Sequence, residues 1–365
     1  MNTNTTINAN TRQLHALGQS LWVDNISRDM LAKGQLARYI AESSVTGLTS
    51  NPTIFEHAIG QGDRYDESIA RLTRLGKSAE ETFFALALED LQTAADLFRP
   101  TFDATHGADG WVSLEVSPLL ADDAEQTIRA AAALHQAAQR LNLFIKIPGT
   151  TAGNEAIEAS IFGGVPINVT LLFSREHYLA CAEAYMRAIE RRIEAGLDPN
   201  VRSVASLFIS RWDVAANPQV SPALQNKLGL AIGMRTYKAY RDLLDSPRWQ
   251  KLAKAGAQPQ RLLWASTGTK DPSASDTLYV EGLAAPDTIN TIPEKTLQAF
   301  AEHGKVGAGL PADGGDAEAV VQAVKREGVD DGALAARLQR EGAAAFAKSW
   351  HALLARIEDK QKSLA

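Results

Sequence analysis

The chain has 365 residues, enough for one large domain or two, and α/β barrels of 250 residues or more fold as a single unit. With 37 basic against 43 acidic side chains and a net charge of −6, it carries no whole-chain basic field for nucleic acid, although a local cluster of cations could still hold a phosphorylated metabolite. One cysteine, Cys181, cannot form an internal disulfide, and no apolar run approaches the ~20 residues of a membrane span, so a cytoplasmic protein without membrane contact is expected.

The first 15 residues are polar and lack the basic and apolar regions of a secretory signal, so they read as a frayed tail ahead of a single domain over 16–365. Residues 21–25 form a short apolar run ending at Asp24, with Ser27 as the cap of the helical pattern that follows. A second unit starts at Gly47 and stops at Pro52, placing Asn51 at its tip ahead of helical sequence through Phe102 with breaks near Gly60 and Gly76. Residues 111–116 alternate, carry Glu115, and meet Pro118; an alanine-rich helix to Leu141 follows.

The run NLFIKIPGT, residues 142–150, puts one lysine, Lys146, near the end of a buried strand. An ammonium there is disfavoured by desolvation unless it is paired or used, and a lysine made neutral in this way is a Schiff-base nucleophile. A lysine that merely snorkels out at a strand end is the alternative. Further strands are expected at 166–173, carrying Asn168 and Thr170, at 204–210, carrying Ser206 and Phe208, and at 261–267, carrying Ser266. An eighth is expected at 277–282, between Pro272 and Pro286, with a helix over 294–302. Asp287 and Asn290 read as turn and cap groups of the last connection. From about residue 311 the pattern is helical to the end, which predicts a C-terminal extension packed on the same domain, with Trp350 as a core anchor.

About eight short strands alternating with helices predict a parallel sheet, and repeated right-handed crossovers close it into a (β/α)8 TIM-type barrel. An open doubly wound sheet is the rival, but no G-x-G-x-x-G turn follows the first strand. Catalytic groups of such barrels project from the carboxyl ends of the strands, where Asp24, Asn51, Glu115, Lys146, Asn168, Thr170, Ser206 and Ser266 gather. Each has a bland reading as a cap, an ordinary strand residue or an ion-pair partner. The seven histidines show no metal-ligand spacing, and no metal or cofactor is expected.

The segments LWVDNI, TGLTSNPTIF, SLEVSP, NLFIKIPGT, INVTLLFS and SVASLFISRWD, in this order, resemble the transaldolases, in particular the longer bacterial type with a C-terminal extension. The resemblance covers the chain from about Leu21 to Trp350. It implies Schiff-base transfer of a dihydroxyacetone unit from sedoheptulose 7-phosphate to glyceraldehyde 3-phosphate, in the non-oxidative pentose phosphate pathway. On that resemblance Lys146 forms the imine, Glu115 is the acid/base acting through a water, Thr170 positions that water, and Asp24 exchanges the proton of the C4 hydroxyl. Asn51, Asn168 and Ser206 bind the dihydroxyacetone hydroxyls. Arg211 and Lys270, with Ser266 between them on the rim, are the phosphate candidates; the shorter transaldolases usually have arginine at the latter position, and Lys270 reads equally as a solvated loop lysine.

Phe208 stands where small relatives that release free dihydroxyacetone carry a proton-donating tyrosine, which favours transfer over cleavage. A lyase of the same barrel and a non-catalytic sugar-phosphate-binding barrel are the competing readings. The expected partners are sugar phosphates, and the expected state is a monomer or a homodimer.

Overall fold

The computed structural model describes residues 7–364. Eight parallel strands run β1 (Gln19–Asp24), β2 (Val45–Thr49), β3 (Val112–Glu115), β4 (Leu143–Pro148), β5 (Ile167–Leu172), β6 (Ser203–Phe208), β7 (Arg261–Ala265) and β8 (Thr288–Ile292). Their spatial order is β2-β1-β8-β7-β6-β5-β4-β3. A parallel bridge between Gly47 and Trp111 joins β2 to the entry of β3 and closes the ring. Glycine is required at that seam: a Cβ on Gly47 would lie 2.6 Å from Trp22 Nε1 and 2.7 Å from the Trp111 carbonyl oxygen. Trp111 in turn stacks on Phe144 at 3.9 Å, so aromatic rings fill this end of the barrel.

Strand and helix are separated by local chemistry. Side-chain oxygens of Ser27, Asn51, Asp123, Thr150 and Ser174 accept from backbone N–H groups in the first turns of the helices that follow. Ser78 and Glu81 form a reciprocal capping box at the 26-residue helix Ala79–Ala104. The helical region from Pro52 breaks where its glycines suggested, into Pro52–Gly60, Asp66–Arg74 and Ala79–Ala104.

Three expectations are corrected. Residues 278–282 are a helical turn, and the eighth strand is Thr288–Ile292, ten residues later. The TINTI sequence is fully buried, and β8 pairs with β1 and β7. Asn290 is therefore an interior strand residue, accepting from Thr267 Oγ1 at 2.8 Å, and Asp287 turns the chain into the strand with φ +59° while binding Arg241. The polar N-terminus is a docked helix from Ala9 to Ala16, capped by Asn8; the side-chain amides of Asn8 and Asn10 donate to the carbonyls of Phe300 and Ala301. Residues 1–6 of the expected tail lie outside the described residues.

The C-terminal extension consists of Ala317–Arg326 and the 34-residue helix Asp331–Leu364. The long helix packs on Pro52–Gly60, Asp66–Arg74 and Ala79–Ala104. Trp350 is buried there against Phe83, with ring centroids 5.0 Å apart at 88°, and against Phe84 at 5.6 Å. Arg235 fastens the start of the extension, donating twice to Glu318 at 2.7 Å and once to Asp331 at 2.6 Å. Among the described residues, no helix is long and apolar enough to cross a membrane.

Candidate active site

At the carboxyl ends of the strands lies a cavity of about 350 Å³, and Lys146 reaches into it from β4. Lys146 is the one buried lysine among the described residues. Its Nζ donates to the Ser50 carbonyl at 2.9 Å and lies 3.2 Å from Glu115 Oε2. The parallel register puts Glu115 directly beside Lys146, and Lys146 beside Asn168, so three adjacent strands bring these groups together. The bland reading of a snorkelling lysine does not fit this environment. Burial pushes the Glu115 carboxyl up from its ordinary value, Lys146 opposes the shift, and Asp24 adds to it.

Asp24, at the end of β1, lines the cavity and accepts from Thr49 Oγ1 at 3.1 Å. Burial raises its carboxyl too, opposed by Lys146, by the Thr49 hydrogen bond and by Lys270. Thr170 lines the same cavity, and its buried Oγ1 has no hydrogen-bond partner among the described residues. A hydroxyl lining the same cavity as the Lys146 amine has both donor and acceptor capacity for a substrate or a water. Deeper in the barrel Asn168 is locked, accepting from Ser206 Oγ at 2.7 Å and donating to Ser113 Oγ at 3.1 Å. Asn51 caps the helix Pro52–Gly60 by accepting from the Ile54 N–H and also lines the cavity, so its cap and site readings hold together.

Two further cations, Arg211 and Lys270, line the cavity. Arg211 stands 5.2 Å over the Phe208 ring, and Phe208 packs on Phe173. Burial lowers the Arg211 guanidinium from its ordinary value, opposed by Glu341, yet it stays a cation. Ser266, which also lines the cavity, adopts φ +58° and its hydroxyl bonds to that of Ser210 at 2.8 Å. All eleven candidate residues therefore fall in one place: nine line the cavity, while Glu115 and Asn168 support Lys146 and Ser206 from behind.

Some lining residues carried no sequence signal. Phe346 belongs to the C-terminal helix, and Thr49, Thr53, Ile54 and Thr291 come from elements whose inward face could be assigned only once the register was known. Thr49 is the exception in principle, because it ends β2 two residues before the extended Asn51, and extended backbone returns side chains to one face every second residue.

Fold and site together define a (β/α)8-barrel protein in which a lysine lining the cavity is paired with a buried carboxylate behind it. The family model for transaldolase/fructose-6-phosphate aldolase matches residues 21–357, and the chain belongs to that family. It is 44% identical to a transaldolase of Thermobifida fusca, across 95% of this chain and 96% of the relative. It is 43% identical to transaldolases of Parafrankia sp. and Thiobacillus denitrificans, with 96% and 95% of this chain aligned to 98% and 99% of theirs.

Proposed function

We propose that the chain is a transaldolase that carries a dihydroxyacetone unit from a ketose phosphate to an aldose phosphate through an imine on Lys146. The observation that carries this reading is the buried amine that lines the cavity, 3.2 Å from a carboxyl behind it whose proton affinity is raised. Imine formation needs a neutral amine to attack the ketose carbonyl, then an acid to expel water from the carbinolamine. Glu115 takes the first proton and returns it to the leaving hydroxyl; the Thr170 hydroxyl holds the water that relays it.

The cationic imine then draws the electron pair of the C3–C4 bond, while Asp24 accepts the proton of the C4 hydroxyl as that oxygen becomes a carbonyl. The aldose leaves and an enamine remains on Lys146. Addition of the enamine carbon to the acceptor aldehyde reforms the bond, Asp24 returns its proton, and hydrolysis frees Lys146. Asn51 and Ser206 hold the dihydroxyacetone hydroxyls, with Asn168 orienting Ser206 from behind, and Arg211 and Lys270 bind phosphate, where Lys270 contributes a point charge and Arg211 a planar fork. Sedoheptulose 7-phosphate and glyceraldehyde 3-phosphate fit these requirements as donor and acceptor. Phe208, which has no proton to give, supports transfer over release of free dihydroxyacetone. The buried lone thiol of Cys181, pushed up by burial, suits a cytoplasmic enzyme.

The test is borohydride reduction in the presence of fructose 6-phosphate, followed by peptide mass mapping. A dihydroxyacetone-sized adduct on Lys146, lost in Lys146→Ala, with erythrose 4-phosphate-dependent turnover and no release without an acceptor, is the expected result. An adduct on another lysine, or none, would remove the assignment; rapid acceptor-free release would convert it to a lyase.

A further inference from the structure

The strand that carries Thr170 is irregular where it matters. Between Val169 and Leu172, β5 advances three residues while its partner β6 advances two, from Ala205 to Leu207. The extra residue makes a β-bulge at Thr170–Leu171, and Leu171 sits in the left-handed region at φ +59°. A buried branched residue rarely adopts that backbone. Bulges re-aim side chains, and this one leaves the Thr170 hydroxyl in the cavity while the Thr170 carbonyl accepts from the Gly149 N–H at 2.8 Å. Strain of this kind persists only where neighbours hold it.

The neighbour that does so is the C-terminal helix Asp331–Leu364. The side-chain amide of Gln339 donates to the carbonyl of Leu171 at 3.0 Å and to that of Gly149 at 3.0 Å. It thus bridges the end of β4, three residues past Lys146, to the bulge that follows Thr170. Gly342, three residues on and hence on the same helix face, lets the helix approach; a Cβ there would stand 2.9 Å from Leu171 Cδ2 and 3.1 Å from Arg211 Nη1. Gly149 is equally enforced, since its Cβ would meet Leu172 Cδ2 at 2.3 Å. One turn beyond Gly342, Phe346 lines the cavity itself.

We infer that Gln339 is a positioning residue of the reaction, holding the Leu171 bulge so that the Thr170 hydroxyl and the Lys146 strand keep the geometry needed for imine formation and hydrolysis. It touches neither substrate nor the reacting atoms, and its effect passes through Thr170; the inference rests on the reading of Lys146 and Thr170 given above. The requirement is for a donor: an acceptor-only or apolar side chain of the same length cannot replace it.

Gln361 supplies a matched control on the same helix, because its amide also makes two bonds, to the Lys77 carbonyl at 3.0 Å and to Thr82 Oγ1 at 3.1 Å, far from the cavity. The experiment compares Gln339→Met, Gln339→Lys, Gln361→Met, Thr170→Val and the Gln339→Met/Thr170→Val double variant in the transfer assay and in the rate of borohydride trapping. Expected for Gln339→Met is a fall in kcat and in trapping rate on the order of 10- to 100-fold with KM little changed, as for a displaced catalytic group. Gln339→Lys, which keeps donors, recovers most of the loss, and Gln361→Met keeps wild-type kcat. The double variant falls no further than Thr170→Val alone, the non-additivity of two groups acting as one unit.

Equal effects of Gln339→Met and Gln361→Met, or multiplicative losses in the double variant, would overturn the positioning role while Lys146 trapping in the wild type remains intact. A wild-type protein that traps nothing on Lys146 would overturn both readings.

Discussion

Replacing Trp350 tests whether the C-terminal helix is an integral wall of the barrel. The side chain is 1% exposed and packs edge-on against Phe83. Truncating a buried tryptophan to alanine costs about 3–5 kcal/mol through lost transfer energy and the cavity left behind, and an edge-to-face pair adds about 0.5–1.5 kcal/mol. Opposing this, the Trp350 Nε1–H is buried without an acceptor among the described residues, a defect worth about 1–3 kcal/mol that the truncation removes. The net expectation for Trp350→Ala is a loss of about 3 kcal/mol. Trp350→Phe separates the terms: it keeps a ring on Phe83, loses the smaller volume of the second ring and removes the orphaned donor, so its stability should stay within about 1 kcal/mol of wild type. Urea unfolding followed by far-UV circular dichroism measures both, with the midpoint shift multiplied by a common m-value. A loss in Trp350→Phe as large as in Trp350→Ala would refute the reasoning about the orphaned donor; a loss under about 1 kcal/mol in Trp350→Ala would refute the docking of the helix.

Asp24→Asn should lower turnover on the order of 10²- to 10⁴-fold, as for loss of a general acid–base group, while stabilising the fold at neutral pH. The sign follows from its raised value: an acid whose folded pKa lies above its unfolded one binds more protons when folded, so stability falls as pH rises through that window and stays lowered above it. The asparagine variant should lose that part of the decline in pH-dependent urea midpoints; an unchanged profile would count against burial as the cause. Arg211→Ala should raise KM for the sugar phosphate about 10- to 100-fold, from a charge-assisted bond of about 1.5–3 kcal/mol, and Lys270→Ala by less, both read in steady-state kinetics. Arg235→Ala should cost about 2 kcal/mol in urea unfolding, below the usual range for a broken buried pair, because Glu318 is 61% exposed and regains water when its partner goes.

Most of the barrel was legible because its strands are short apolar runs stopped by turn residues, and because parallel strands carry their polar groups to one end. Lys146 and Glu115 could be placed together before any register was known, since each lies toward the carboxyl end of its strand and the two strands are consecutive in the chain; Asn168, the second residue of β5, joins them only through the register. The eighth strand failed for a physical reason. TINTI has two isoleucines among three polar residues, whose two hydroxyls and Asn290 side-chain oxygen are partnered inside the barrel by Ala285, Trp264 and Thr267, so its burial leaves little apolar signature. Residues 278–282, with Leu278, Tyr279 and Val280 as an unbroken apolar run, became a helical turn because their tertiary surroundings, including the Tyr279 hydroxyl donating to Asp213, outweigh local preference. The N-terminal helix was missed because its anchors are polar: asparagine amides on carbonyls rather than an apolar stripe.

The C-terminal helix shows where sequence reading stops for the site itself. Its helical pattern was plain, yet Gln339, Gly342 and Phe346 are indistinguishable in sequence from surface and core positions of any amphipathic helix. Their meaning comes from what lies beneath them: a left-handed leucine, an arginine that leaves no room for a Cβ, and an open cavity. A barrel's strands can set the identity of the reacting groups, but the spacing of those groups depends on the loops that end the strands. Here one helix face spans two such loops and the cation beside them. Restraint of Thr170 and room for Arg211 are therefore coupled through Leu171 and Gly342, and a change that lifts this helix should disturb the roles proposed for both, water positioning and phosphate binding, together.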